Sequence, residues 1–217
     1  MTDAERALRG EIVRTCHAMG AAGINRGTSG NVSARWDGGM LVTPSGLPYA
    51  TMGPEDVVFV AMDGTPQGRH APSSEWRFHR DILAARDDVG AVVHAHPIHA
   101  TAWAMLREDV PAVHYMIAAA GGPTIRCAPY ATFGTQALSD AALAALKGRM
   151  ACLLANHGMI ACGATLPKAL ALAVEVETLC HQYAVARTLG TPALLDDAEV
   201  ARNVDLFAGY GPNRRGG

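Results

Sequence analysis

The sequence lacks an excess of positive charge, a long apolar run and closely paired cysteines. Its formal net charge is −2 at pH 7, so it does not offer the long-range attraction on which nonspecific binding to nucleic acids or anionic membranes depends. Residues 1–14 carry charges from the start, and no uninterrupted apolar stretch is long enough to cross a bilayer. We therefore expect a cytoplasmic protein that binds neither nucleic acid nor membranes.

The five cysteines are scattered and form no CxxC pair. An odd, dispersed set indicates reduced and mostly buried thiols instead of disulfides or a zinc ribbon. Hydrophobic residues make up 49% of the 217 positions and charged residues 18%, which is typical of a globular chain. We expect a single domain over residues 1–207, followed by a mobile tail over 208–217 that is rich in Gly, Pro and Arg.

Helical and strand-like segments alternate along the chain without internal repeats. Turn signals and Thr or Ser caps separate them. The predicted strands are 31–36, 40–44, 57–64, 91–96, 124–130, 151–155 and 159–163, and the predicted helices are 3–20, 72–86, 97–106, 138–149 and 165–190. Hairpins mixed with helices predict an α/β fold, a three-layer αβα arrangement with a central mixed, largely antiparallel sheet.

A cluster of histidines follows one predicted strand. His94 and His96 lie two positions apart, so a strand would present both on one face. Such a pair also arises by chance among half-buried histidines. His157 follows another apolar strand, and Glu75 begins a predicted helix. Three neutral imidazoles and one carboxylate suit Zn²⁺ or a similar divalent ion.

Three further segments are rich in hydrogen-bond donors. They are NRGTSGNVS, LVTPSG and PSSEW, which contribute Gly27, Gly30, Thr43, Ser45, Gly46, Ser73 and Ser74. Glycine-rich turns and a helix start present backbone amides that favour a phosphate. Simple N-capping by the serines is the alternative. The proximity of Glu75 to these serines predicts a short phosphorylated substrate.

The motifs GTSGNVS, LVTPSG, PSSEW, HAH, HYMIAAAGG, CAPYATFGT and NHG, in this order, resemble the class II aldolase and adducin family. The resemblance implies the zinc ligands Glu75, His94, His96 and His157. It implies a phosphate site of Gly30, Asn31, Thr43, Gly46, Ser73 and Ser74. It also implies a homotetramer with active sites at the subunit boundaries.

The activity implied by the resemblance is cleavage of a ketose 1-phosphate to dihydroxyacetone phosphate and a small aldehyde. L-fuculose 1-phosphate is the first candidate substrate, and 5-deoxyribulose and 5-methylthioribulose 1-phosphate are the alternatives. The two lysines, Lys147 and Lys168, lie in ordinary solvated contexts, which favours a metal over a Schiff base as the electron sink. Zinc is expected, with Mn²⁺ or Co²⁺ as alternatives, and Glu75 would move the proton at the reacting carbon.

The resemblance also assigns residues to the aldehyde side. Tyr115 would reach across the subunit boundary to handle a proton there, whereas without the family it would be interpreted as a loop anchor. Phe133 and the tail residue Tyr210 would line the aldehyde pocket. The alternative for Phe133 is that it packs its own loop. The alternative for Tyr210 is that it lies in a disordered tail.

Other reactions in this superfamily are less consistent with the motifs. The resembling epimerases carry aspartate where Glu75 stands, and the dehydratases and decarboxylases match two of the motifs less well. A non-catalytic, adducin-like module would be expected to lack the ligand set. One departure from the resembling aldolases is Asn156 before His157, a position where they often carry histidine.

Overall fold

Eight strands form one sheet in the computed structural model, which describes residues 1–208. The strands are β1 Asn31–Trp36, β2 Gly39–Val42, β3 Val58–Ala61, β4 Pro66–Gln67, β5 Ala91–Ala95, β6 Arg126–Ala128, β7 Ala151–Leu154 and β8 Gly158–Gly163. Their order across the sheet is β4-β3-β2-β1-β5-β8-β7-β6. Neighbours run antiparallel except for the parallel pair β6 and β7, which confirms the predicted mixed, largely antiparallel sheet.

Six α-helices accompany these strands within the described residues. They are α1 Asp3–Ala21, α2 Trp76–Ala85, α3 Ile98–Leu106, α4 Gln136–Ala145, α5 Leu166–Leu189 and α6 Asp197–Ala208. Threonine caps mark several starts: the Thr2 hydroxyl accepts from the Glu5 amide, and Thr165 accepts from Lys168. These bonds satisfy amides that have no partner inside the helix.

Helices cover both faces of the sheet. Val93 of β5 packs in a core with α1, α3 and α5, whereas Val92 packs in a second core with α2 and α4. Successive strand residues face opposite sides, so both faces of the central strands are apolar. The predicted three-layer arrangement is confirmed.

The sequence did not predict α6. Its apolar residues Val200, Val204 and Phe207 join the edge of the first core, next to a 3₁₀ helix over Tyr115–Ala120. Three apolar positions in a polar segment are a weak helical signal, and contacts with a distant segment decide the structure. The predicted mobile tail begins at the end of α6, and residues 209–217 lie outside the described part of the chain.

The five cysteines are free, as predicted, and four of them are buried while Cys127 is half-buried. No helix within residues 1–208 is both long enough and apolar enough to span a bilayer.

Candidate metal centre and its cavity

Three histidine rings meet at one end of the central strands. His94 is near the end of β5, His96 directly follows that strand, and His157 lies in the turn between β7 and β8. Because β5 pairs with β8, with Ala95 opposite Met159, the turn lies beside the end of β5. The ring centroids are 4.8–4.9 Å apart in each pair. One nitrogen from each ring lies within 4.8 Å of the other two.

Glu75 completes the cluster from the N-terminus of α2. Its Oε2 lies 3.2 Å from Nε2 of His94, and its Oε1 lies 3.2 Å from Nε2 of His157. Burial alone would raise the pKa of the Glu75 carboxyl. The neighbouring imidazoles and a hydrogen bond from Asn31 outweigh burial and lower that pKa below its usual value, so the carboxylate is ionised at neutral pH.

His96 and His157 are in the protonation state that binds metal. Burial, followed by repulsion from His94, lowers the pKa of His96 to about 3 and that of His157 to about 4, so both rings are neutral at pH 7. Nδ1 of His94 lies 2.8 Å from the Met159 carbonyl oxygen. Because a carbonyl only accepts, this nitrogen carries the hydrogen, and Nε2 is the nitrogen that faces the cluster.

These donors fit a divalent cation. Nε2 of His94 lies 2.9 Å from Nε2 of His96 and 3.2 Å from Oε2 of Glu75. Oε1 of Glu75 is buried and accepts no hydrogen bond within residues 1–208. Three ring nitrogens and one buried carboxylate that converge at these distances are a donor set that suits zinc.

A cavity of about 330 Å³ opens beside Glu75, His96 and His157. Its lining includes five of the six residues predicted to bind phosphate. These five are Gly30, Asn31, Gly46, Ser73 and Ser74. Thr28, Ser29 and Ser45 also line it, so the three donor-rich segments do surround one space next to the histidines.

Thr43 is the predicted phosphate residue that the structure does not bring into the cavity lining. Its side chain is buried, and its hydroxyl accepts a hydrogen bond from the Val32 amide at 3.2 Å. The chain turns after β2 ends at Val42, and Ser45 reaches the cavity instead. The sequence contained Ser45 in the same motif, but the exact end of the strand decides which hydroxyl faces the space.

Aromatic residues lie at the outer part of the same cavity. Phe133 is 65% exposed and Tyr130 is 58% exposed, and both line it. The sequence predicts Phe133 there, and Tyr130 of the same CAPYATFGT motif is an aromatic residue that the prediction does not include. Asn156 also lines the cavity, in a left-handed conformation with φ of 55°, and its Oδ1 accepts from Arg107 at 2.8 Å. The other predicted pocket residue, Tyr210, lies outside the described residues.

Tyr115 does not line this cavity within the described chain. It begins the 3₁₀ helix over Tyr115–Ala120 and is half-exposed. Its ring lies 6.3 Å from that of Phe207. Within one chain, the structure therefore brings together Glu75 and the three histidines but not the predicted tyrosine.

Glu177 of α5 supports the segment that follows His96. Its carboxylate accepts from the backbone amides of His99 and Ala100, at 3.0 and 2.8 Å. These amides belong to the first turn of α3, where helix amides have no partner of their own. Sequence reasoning missed this contact because the partners are far apart in the chain.

Comparison with known proteins agrees with this geometry. Residues 10–184 match the family described as Class II Aldolase and Adducin N-terminal domain. A 5-methylthioribulose-1-phosphate/5-deoxyribulose-1-phosphate aldolase of Rhodospirillum rubrum is 51% identical over 207 residues, covering 95% of this chain and 94% of the relative. An L-fuculose phosphate aldolase of Escherichia coli is 48% identical over 205 residues, covering 94% of this chain and 95% of the relative.

A solved structure of an L-fuculose 1-phosphate aldolase has the same fold. It superposes with a TM-score of 0.90 at 37% sequence identity, and the match covers 93% of this chain and 96% of that one.

Proposed function

This chain belongs to the class II aldolase and adducin family, and we propose that it is a metal-dependent aldolase. The proposed reaction is the reversible cleavage of a ketose 1-phosphate to dihydroxyacetone phosphate and a small aldehyde. The observation that carries this proposal is the convergence of three histidines and one ionised, buried carboxylate beside a cavity lined with hydroxyl and amide donors.

Glu75, His94, His96 and His157 would hold the metal ion, which we propose to be zinc. When bound, it supplies a Lewis acid that polarises the substrate ketone and stabilises the charge left by bond cleavage. The positions of the two lysines favour a metal ion over a lysine Schiff base as the electron sink. Lys147 and Lys168 lie at two other surface depressions of the described chain, away from the cavity beside Glu75.

The phosphate would be bound by the donors around the cavity. No lysine or arginine is among the described residues that line it, so neutral donors must bind the anion. Ser73 and Ser74 precede the first turn of α2, where the helix dipole favours a negative charge. The amides of Glu75 and Trp76 already donate to Ser73, so the later amides of that turn are the backbone donors left for an anion. Gly30, Gly46 and the hydroxyls of Ser29 and Ser45 add donors from two loops.

Glu75 would move the proton at the reacting carbon. Its carboxylate is ionised and almost fully buried, with 6% exposure, and it lines the cavity in which the substrate would bind. A carboxylate placed between the ligand histidines and the phosphate donors is close to both ends of a three-carbon phosphate ester.

The aldehyde side would be completed by a second subunit. We propose a homotetramer in which Tyr115 of a neighbouring copy handles the proton on the aldehyde oxygen. Its half-exposed position outside its own chain's cavity supports this arrangement. Phe133 and Tyr130 would contact the aldehyde fragment, and Tyr210 would approach from the C-terminal segment.

We propose L-fuculose 1-phosphate as the first candidate substrate. Relatives named L-fuculose phosphate aldolase, at 48% identity, support this choice. The Rhodospirillum rubrum relative at 51% identity supports 5-methylthioribulose and 5-deoxyribulose 1-phosphate as the second candidates. These substrates differ by small groups at the aldehyde end, and one such group changes transition-state binding by only about 1–3 kcal/mol. Overlapping activities are therefore expected.

The test is the release of dihydroxyacetone phosphate from each of the three ketose 1-phosphates by the purified, zinc-loaded protein. Release in a coupled assay is expected, and the ratio of kcat/KM values identifies the aldehyde fragment. If zinc-loaded protein releases no dihydroxyacetone phosphate from any of them, the aldolase proposal is wrong.

A further inference from the structure

Glu75 is not oriented by its own helix. It is the N-cap residue of α2, yet its side chain makes no capping hydrogen bond. The carboxylate points instead into the histidine cluster, where Asn31 Nδ2 donates to Oε2 at 3.0 Å. Within residues 1–208, Asn31 is therefore the amide side chain that donates a hydrogen bond to the Glu75 carboxylate.

Asn31 is itself held by two fully buried residues. Its Oδ1 is hydrogen-bonded to Nε2 of His79. On the other side of that ring, Nδ1 of His79 lies 2.8 Å from the Ser33 hydroxyl. Both His79 and Ser33 are 0% exposed, so the chain of contacts from Ser33 through His79 to Asn31 and Glu75 begins in the core and ends at the cavity.

The geometry gives the direction of each bond in this chain. Asn31 turns its NH₂ group toward Glu75 Oε2 and its oxygen toward His79. That oxygen only accepts, so His79 Nε2 carries the hydrogen. Burial keeps the His79 ring neutral by lowering its pKa to about 3. Nδ1 is therefore an acceptor, and the Ser33 hydroxyl donates to it.

The network lies in an apolar layer where polar groups are costly. Asn31 and Ser33 are two positions apart in β1 and share one face of the sheet, and Asn31 pairs with His94. Phe78, Ile82 and Val92 form the core on this side. Burying polar groups is unfavourable unless each is satisfied, and a core needs no such chain for its own packing.

We infer that His79 and Ser33 are positioning residues that hold the Glu75 carboxylate, through Asn31, toward the metal and the reacting carbon. This inference rests on the proposed metal-binding role of Glu75. Neither residue lines the cavity within the described chain, so neither touches the substrate. Their effect on zinc binding is therefore expected to depend on the Glu75 carboxylate. A general effect on packing would not depend on it.

The test is a double-mutant cycle on zinc affinity, measured by competition with a chromophoric chelator in the absence of substrate. His79→Leu removes the donor to Asn31 and should weaken zinc binding about tenfold or more, the usual effect of losing a group that supports a ligand. His79→Gln keeps a nitrogen donor near the Nε2 position and should retain most of the affinity. In a Glu75→Ala background, His79→Leu should have less than about a twofold effect.

Three outcomes overturn the inference: wild-type zinc affinity in His79→Leu, the same loss in both backgrounds, or an equal loss in His79→Gln. His70→Gln, at an exposed histidine that pairs with Asp56, controls for the loss of a histidine elsewhere.

Ser33→Ala provides a milder change if His79→Leu does not fold. It should weaken zinc binding about two- to fivefold, as expected for one hydrogen bond, and an unchanged affinity would overturn the inference. Failure of the proposed function is distinct, because it is the lack of dihydroxyacetone phosphate release from zinc-loaded wild-type protein.

Discussion

Substituting Gly30 by alanine tests how tightly the loop before β1 is held against the metal centre. Gly30 has φ of +81°, a left-handed conformation that costs a residue with a Cβ about 1–2 kcal/mol. A Cβ there would also lie 2.7 Å from the His94 carbonyl oxygen and 2.7 Å from Asn25 Oδ1. The carbonyl belongs to β5 and cannot move alone, so we expect a further loss of about 1–3 kcal/mol from overpacking.

Gly27→Ala is the matched control. Gly27 lies in the same loop with φ of +63°, but a Cβ there would meet nothing within 4 Å, so only the backbone penalty of about 1–2 kcal/mol applies. The free energy of unfolding is measured in urea at equal protein concentrations, because the stability of the proposed tetramer would depend on concentration.

Gly30→Ala should be less stable than Gly27→Ala by about 1–3 kcal/mol, and it should bind zinc more weakly because His94 is displaced. Equal stability and equal zinc affinity in the two variants would refute the close contact between this loop and His94.

Three further predictions concern the chemistry. Glu75→Gln should lower kcat about 10²- to 10⁴-fold, because an amide cannot accept the substrate proton; dihydroxyacetone phosphate release near the wild-type rate would contradict this role. Tyr115→Phe should also be slow, but mixed oligomers of the two variants should regain activity if the residues meet across a boundary; activity equal to the average of the pure variants would refute a shared site. Acidification from pH about 6.5 to about 4 should lower the Tm of metal-free protein. Burial lowers the pKa of His157 to about 4 and that of His79 to about 3, so in this pH range the unfolded chain binds protons that the folded chain does not. A constant Tm would contradict this prediction.

Much of the fold could be predicted from local patterns. The strands near His94 and His157 are short apolar runs bounded by turns, and Thr2 and Thr165 mark helix starts. The local sequence does not predict α6, because this helix has few apolar residues and packs against the distant 3₁₀ helix. Local sequence therefore predicts elements that bury a continuous face and misses those that tertiary contacts stabilise.

The site shows the same division. The positions of Glu75 and the three histidines could be predicted because each lies at the end of a strand or helix with a strong local pattern. The choice between Thr43 and Ser45 depends on the path of the chain after β2 ends at Val42, because strand alternation alone would place both side chains on one face. The link from His79 to Ser33 joins two distant elements, and no local pattern in either contains it.

The most direct test is to remove bound metal with a chelator, return zinc in steps, and follow dihydroxyacetone phosphate release from L-fuculose 1-phosphate and 5-methylthioribulose 1-phosphate. Activity should be lost on chelation and should rise with added zinc until each chain holds one ion, while a His157→Ala variant should not recover at the same zinc concentrations. Full activity in metal-free protein, or recovery of the His157→Ala variant to the wild-type rate, would contradict a metal-dependent aldolase built on this cluster.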